Sequence, residues 1–374
     1  MARIFQFPSR TVAEVSLKNL VKNAVFLRKH SGKELIPVVK ANAYGHGMVP
    51  ISKTLVVKAS CRILAVATLE EALELRQVLQ DNISILVLSG FLPHQLSAYI
   101  NHRITPMIHS LSHLKSLVGH RNIPEIHLKV DTGMHRLGLL EGEMGEAIEC
   151  LTKLRAMLSG LATHFADSES THSAFTEVQT ALFAEIHQTL RSRKLLRPDA
   201  HVHAANTGGI LKRPPSFTTS VRPGLGLYGI SPNVHLGGSK SLFPVLQWKS
   251  RVLGIKMLKK NDSVGYGRAY KAVRDERIAF LPIGYADGYP RLLSNRGEVL
   301  IGNKRVRVRG RVSMDLTAVD CTSLSGLPEG TSVTLMGGDD REKISAWDLA
   351  KWAQTVPYEI LCGISGRVPR VYVE

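Results

Sequence analysis

The chain has 374 residues, 44% of them hydrophobic, which is ample for a sizeable core and for two domains or one large one. Lysine and arginine number 48 against 31 acids, a net charge of +17, yet no apolar run reaches the roughly 18 residues of a membrane span. Residues 1–11 hold two arginines but neither an apolar stretch nor a cleavage site, so no signal peptide is expected and a cytoplasmic location is the default.

Short apolar runs alternate with amphipathic stretches through the first two-thirds. The expected strands are Ile36–Lys40, Ile63–Val66, Ile85–Leu88, Thr105–Ile108, Glu125–Val130, Leu158–Thr163, His201–Ala204 and Gly224–Tyr228. Between them lie helical patterns. In Leu69–Leu79, residues Leu69, Ala72, Leu73, Leu75 and Leu79 recur near helical spacing with charges mostly opposite, and Phe175–Leu190 behaves the same way. Strand–helix alternation implies a parallel sheet, and about eight such units imply a closed (β/α)8 barrel.

The character changes near Phe243. Expected strands follow at Arg251–Ile255, Ile278–Pro282, Val299–Ile301, Arg305–Val308, Leu316–Val319 and Ser332–Leu335. They are separated by the turns Gly302-Asn303, Pro328-Glu329-Gly330 and Gly337-Gly338-Asp339-Asp340, and one helix is expected at Ser345–Gln354. This reads as a mainly β domain. With Gly237-Gly238-Ser239 as linker, the expected domains are residues 1–240 and 241–374. Between Arg251 and Arg311 stand fifteen basic residues and five acids. They are not interleaved with stacking aromatics and no helix-turn-helix is evident. A solvated β-rich surface, with some arginines serving an anionic site, is therefore expected rather than a nucleic-acid partner. The four cysteines, Cys61, Cys150, Cys321 and Cys362, are far apart and read as reduced thiols; without a compact Cys/His cluster no metal is expected.

The segment VVKANAYGHG (Val38–Gly47) is the most informative. Lys40 closes an apolar strand, and in a parallel barrel the carboxyl ends of the strands carry the active site. A lysine desolvated there has a lowered pKa and a free amine suited to Schiff-base formation. The segment resembles the cofactor-lysine signature of the alanine racemase family. KVDTGMHRLG (Lys129–Gly138), THFADSE (Thr163–Glu169), HAANTGG (His203–Gly209), VRPGLGLYG (Val221–Gly229), VGYGRAY (Val264–Tyr270), IGYADGYPR (Ile283–Arg291), GRVSMD (Gly310–Asp315) and PYEILCGISGRVPRVY (Pro357–Tyr372) resemble further blocks of that family, in the same order. Each block is weak alone, but nine in register across the chain are specific.

The resemblance implies an N-terminal barrel, a C-terminal β domain, pyridoxal 5'-phosphate as cofactor, and a head-to-tail homodimer with active sites at the interface. Lys40 would hold the cofactor and act as one base. Tyr266 of a partner subunit would be the other, since racemisation needs a base on each face of a planar carbanion. By family analogy Lys40 serves the D-enantiomer and Tyr266 the L-enantiomer. Arg222 would donate to the pyridine nitrogen without protonating it. Gly224 and Leu225 would offer backbone N–H groups to the phosphate, and Thr207, Tyr44 and Tyr358 hydroxyls. Threonine at 207 departs from the serine usual in the family. His164 would contact Arg222 or lie beneath the ring, with Asn206 in the same layer. Arg136 would orient the substrate carboxylate. Lys129 would carry a carbamate, or else be a buried lysine paired with an acid. Met314 and Asp315 would line the substrate cavity, and Tyr285 and Tyr358 would narrow its entrance. The implied activity is interconversion of L- and D-alanine, supplying D-alanine for peptidoglycan. The alternative is a racemase of broader or serine-shifted specificity. A non-catalytic cofactor carrier would lack Tyr266 and the β domain, both present here.

Overall fold

The computed structural model describes residues 9–120, 122–339 and 341–374. The first eight residues of the stretch read for targeting, and Asp340 of the last expected turn, lie outside the described residues. Two compact units emerge, and they do not follow a single cut near residue 240. One comprises Asn19–Ala43 and Met48–Phe243; the other comprises Met1–Lys18, Tyr44–Gly47 and Pro244–Glu374.

The first unit is built on an eight-stranded, all-parallel sheet. Its strands lie in the spatial order Glu34–Leu35, Ser220–Val221, Leu196–His203, Leu158–Ala162, His127–Lys129, Ile104–Ile108, Ser84–Val87 and Ile63–Val66. The circle closes where Val38 bridges Ala65: Val39 donates to the Ala65 carbonyl at 2.8 Å, and Ala65 to the Pro37 carbonyl at 2.8 Å. Strands Ile63–Val66, Ile104–Ile108 and Leu158–Ala162 are buried at every residue. That is why they read as continuous apolar runs rather than alternating ones. Helices cover the outside. Leu17–Ser31 turns Leu20, Asn23, Ala24 and Leu27 inward at helical spacing. Its one polar core residue is fully used: the Asn23 amide donates to the carbonyls of Leu227 (3.0 Å) and Phe243 (2.8 Å) and accepts from the Phe243 N–H (2.8 Å). The expected helices form as Leu69–Arg76, capped by Thr68, and Ala174–Ser192, capped by Ser173.

Two expected strands are corrected. Gly224–Tyr228 is not extended: the final barrel strand is Ser220–Val221, and Leu225–Tyr228 is a short 3-10 helix that turns the chain over the strand end. At Lys40 the expected strand gives way to a left-handed helical turn. Ala41, Asn42 and Ala43 all have φ and ψ between 45° and 53°. For residues other than glycine this conformation costs roughly 1–2 kcal/mol each, so the turn must be held from outside.

The second unit is mainly β. One sheet orders Lys304–Arg307, Glu298–Ile301, Ser332–Gly338, Leu246–Arg251, Val12–Ser16 and Arg370–Val373, with Lys343–Ile344 pairing onto Ser332–Gly338. The N-terminal strand is thus sandwiched inside this sheet, antiparallel to Leu246–Arg251 and parallel to Arg370–Val373. A second sheet pairs Gly254–Leu258, Glu276–Leu281 and Thr317–Asp320. The expected strand Arg251–Ile255 is in fact the junction between the two sheets. The first ends at Arg251 and the second begins at Gly254. Val252, Leu253 and Ile255 read as one strand across the corner, and only Gly254 marks the bend.

Candidate active site

The barrel unit collects its functional side chains just beyond the carboxyl ends of its strands. Arg222 follows Ser220–Val221, Lys129 ends His127–Lys129, and Thr163-His164 follow Leu158–Ala162. Arg222 is only 5% exposed, and both terminal nitrogens of its guanidinium are occupied while Nε–H has no acceptor among the described residues. Nη1 donates to His203 Nδ1 (2.5 Å) and to the His203 carbonyl (2.8 Å). Nη2 donates to the carbonyls of Thr163 (2.6 Å) and Ala204 (3.1 Å), and meets His164 Nδ1 at 3.0 Å. No acid shares this charge among the described residues. Burial, and then Arg136, push the guanidinium down to about 10, still far above neutrality.

The imidazoles around Arg222 are neutral. Burial first and Arg222 second hold His203 and His164 well below the usual histidine range. Burial and His201 push His127 down to about 3. Because Arg222 donates to His203 Nδ1, the His203 proton sits on Nε2, which donates to His127 Nδ1 at 2.9 Å. An arginine–histidine–histidine chain thus runs through the barrel, built of dipoles that solvate a cation without neutralising it. It requires Gly160: a Cβ there would lie 2.4 Å from His127 Nδ1.

Lys129 is 7% exposed, and none of the described residues gives its amine a hydrogen bond or ion pair. Burial, then Arg222 and Arg136, push it down to about 8, against the upward pull of Asp131. Lys40 acts in the same direction on both Lys129 and His164, so Lys40, Lys129, Arg136 and Arg222 form one field of positive charge. Such a field inside a barrel mouth favours an anionic occupant.

The adjoining loop supplies donors. The Thr207 hydroxyl, 3% exposed, accepts from the N–H groups of Gly224 (3.3 Å) and Gly226 (3.1 Å). With both lone pairs taken, its own proton is left for another acceptor. The Leu225 N–H has no protein acceptor among the described residues. The threonine methyl needs Gly226, since a Cβ there would approach it to 2.7 Å. Asn206 serves as the cap of the turn that carries Thr207: its side-chain oxygen accepts from Gly209 N–H (3.2 Å) and Ser168 Oγ (2.5 Å). Arg136 lies exposed at the rim.

The remaining expected site residues belong to the second unit. Tyr44 is buried, with its ring centroid 6.0 Å from that of Tyr358. Burial first, then Tyr358 and Cys362, raise its phenol above the usual tyrosine range. Arg370 Nε donates to the Gly45 carbonyl (2.9 Å) and Tyr372 Oη to that of His46 (3.2 Å), so the loop after Tyr44 is pinned. Elsewhere in this unit Tyr285 N–H donates to Ser313 O and Ala286 N–H to Met314 O, both at 3.0 Å, which joins Tyr285, Met314 and Asp315 in one cluster. Arg367 Nη2 donates to Asp315 at 2.7 Å. Tyr266 opens a short 3-10 turn and is 72% exposed. Sequence reasoning missed His203, His127, Arg367 and Arg370. His203, Arg367 and Arg370 lay inside quoted blocks, but nothing local to them signals a partner 19, 52 or 325 residues away.

Comparison with known proteins identifies the family. Residues 15–232 match the alanine racemase N-terminal domain and residues 245–372 the alanine racemase C-terminal domain. An alanine racemase of Halothermothrix orenii is 37% identical over 370 residues, covering 97% of this chain and 96% of that protein. Among solved structures, the Streptomyces coelicolor alanine racemase superposes with a TM-score of 0.90 at 31% identity, covering 98% of each chain. The Bartonella henselae alanine racemase, solved with covalently bound pyridoxal phosphate, gives 0.89 at 32% identity, covering 98% of this chain and 100% of that one. The chain is therefore a member of the alanine racemase family.

Proposed function

We propose that this chain interconverts L- and D-alanine, with pyridoxal phosphate held covalently at Lys40. The observation that carries the reading is the buried positive field of Arg222 and Lys129, which forms no ion pair with an acid among the described residues and sits beside unspent N–H and O–H donors. The donor set suits the cofactor: the Thr207 hydroxyl and the N–H of Leu225 fit a phosphate, and an immobile arginine with its Nε–H unspent fits a pyridine nitrogen. When bound, that group supplies the electron sink that acidifies the substrate α-hydrogen.

The protein's own groups do the rest. Arg222 keeps its proton, so it offers the ring a hydrogen bond and not a full positive charge. Lys40 Nζ and Tyr266 Oη hold or take a proton on opposite faces, the lysine for the D-enantiomer and the tyrosine for the L-enantiomer. The exposure of Tyr266 supports its service to a second copy of the chain, in a homodimer with shared sites. Arg136 faces the substrate carboxylate. Tyr44 and Tyr358 add hydroxyls for the phosphate, while Tyr285, Met314 and Asp315 restrict side-chain size, with Tyr358 narrowing the way in. His164 and Asn206 support Arg222 and Thr207. Lys129, an amine near 8 because burial and its basic neighbours outweigh the pull of Asp131, attacks carbon dioxide and releases a proton; the resulting carbamate anion pairs with Arg136. D-Alanine made in the cytoplasm would feed peptidoglycan.

Chiral chromatography of the purified protein with alanine, serine, lysine and arginine tests the substrate. Alanine should turn over fastest; faster turnover of a bulkier residue overturns the reading. Borohydride reduction followed by peptide mapping should place the cofactor adduct on Lys40.

A further inference from the structure

Among the bonds that hold the left-handed turn after Lys40, three bear on its backbone. Ala43 N–H reaches the Val39 carbonyl at 2.8 Å, and the Asn42 side chain accepts from Met48 N–H at 2.8 Å. The third bond comes from another part of the chain: Ala41 N–H donates to Glu71 Oε1 at 2.6 Å. The other oxygen of Glu71 accepts from Ala67 N–H at 2.8 Å, just past the strand Ile63–Val66. One carboxylate thus ties the residue following the lysine to the end of the neighbouring barrel strand.

The ordinary role for Glu71 is helix capping, since Thr68 and Glu71 form a capping box at the start of Leu69–Arg76. The distances decide against that as its main use. Both bonds of the box are long, 3.4 Å each, whereas the bonds to Ala41 and Ala67 are 2.6 and 2.8 Å, the range of charge-assisted hydrogen bonds. Ala41 is also solvent-exposed, so burial does not hold its φ of 51°.

We propose that Glu71 is a positioning residue for Lys40: its carboxylate clamps the Ala41 amide and so keeps the backbone left-handed where the lysine side chain leaves it. This rests on the reading of Lys40 as the cofactor lysine. A carboxylate is specifically suited, because it offers one acceptor oxygen to each N–H. Glutamine of the same shape has one oxygen and one NH2, and must set a donor against one of the two amides.

The test uses the cofactor-loaded protein with Glu71→Gln, Thr68→Ala and the pair Glu71→Gln with Ala41→Gly. Three quantities are read for each: the fraction of Lys40 trapped by borohydride at subsaturating pyridoxal phosphate, kcat and KM for alanine, and melting temperature. Glu71→Gln should lower the trapped fraction and reduce kcat about 10- to 100-fold with KM little changed, as expected when a reacting group is displaced by a fraction of an ångström to one ångström. Thr68→Ala, which breaks only the cap, should lower melting temperature and leave the other two readouts alone. Ala41→Gly should recover part of the loss, because glycine adopts positive φ without the Cβ penalty. The proposal fails if Glu71→Gln matches the parent in trapping and kcat, if Thr68→Ala reproduces its losses, or if Ala41→Gly recovers nothing. An adduct absent from Lys40 in the unmutated protein would instead refute the cofactor-lysine reading itself.

Discussion

In the barrel unit the groups expected to hold the cofactor are buried before any ligand arrives: Thr207 is 3% exposed, Arg222 5% and Lys129 7%. In the β unit the groups expected to meet the substrate stand in solvent: Tyr285 is 43% exposed, Met314 52% and Tyr266 72%. The two regions carry different burdens. A buried cation has lost its water and must be solvated by a built network, which is why Arg222 makes five hydrogen bonds to four residues and has a chain of neutral histidines behind it. An exposed phenol needs nothing from its own chain and becomes useful when another surface covers it. The binding half of the site is thus preorganised, and on the proposed reading a second copy of the chain would bring in the second base.

That contrast can be broken experimentally, most sharply at the exposed end. Tyr266→Phe should reduce L-alanine turnover by about 10²–10⁴-fold, the usual worth of a general base, while cofactor absorbance and melting temperature stay at parental values. Unchanged turnover removes Tyr266 from the reaction. At the buried end the cost should fall on folding as well. Arg222→Lys cannot reach both the His203 and Thr163 sides with one ammonium, and should cost about 2–4 kcal/mol of stability in urea unfolding of the cofactor-free protein. A loss confined to activity would mean that the network is not structural.

Thr207→Val keeps the shape but removes the acceptor of two N–H groups. It should weaken pyridoxal phosphate binding by about 10- to 100-fold by fluorescence titration, whereas Thr207→Ser should stay within about threefold. The smallest effect is in pH. The Lys129 amine is depressed from 10.5 to about 8, so between those values the unfolded chain keeps a proton that the folded chain has released. The folding cost of burying this amine is complete below pH 8 and fades as pH rises. Against Lys129→Met, the cofactor-free protein under carbon-dioxide-free conditions should therefore gain about 1–2 kcal/mol between pH 7.5 and 10. A flat difference would mean that Lys129 is more solvated than its burial implies.

Local rules made much of this protein legible. Continuous apolar runs marked strands buried on both faces, and helical spacing marked Leu69–Arg76 and Ala174–Ser192. The quoted blocks pointed to alanine racemases, and the family follows from comparisons spanning nearly the whole chain. These signals survive in sequence because each depends on neighbours within a few residues. Tertiary contacts decided the rest. At Arg251–Ile255 a lone Gly254 was too little to reveal the corner between two sheets, and Gly224–Tyr228 reads as extended until the chain must turn over the barrel mouth. Thr68 and Glu71 announce a capping box, but only the fold shows the carboxylate spent on Ala41, 30 residues away. Burial acts in the same way on Arg222 and Lys129: desolvation by remote parts of the barrel, and not anything beside them in the chain, depresses two ordinary basic residues below their usual range.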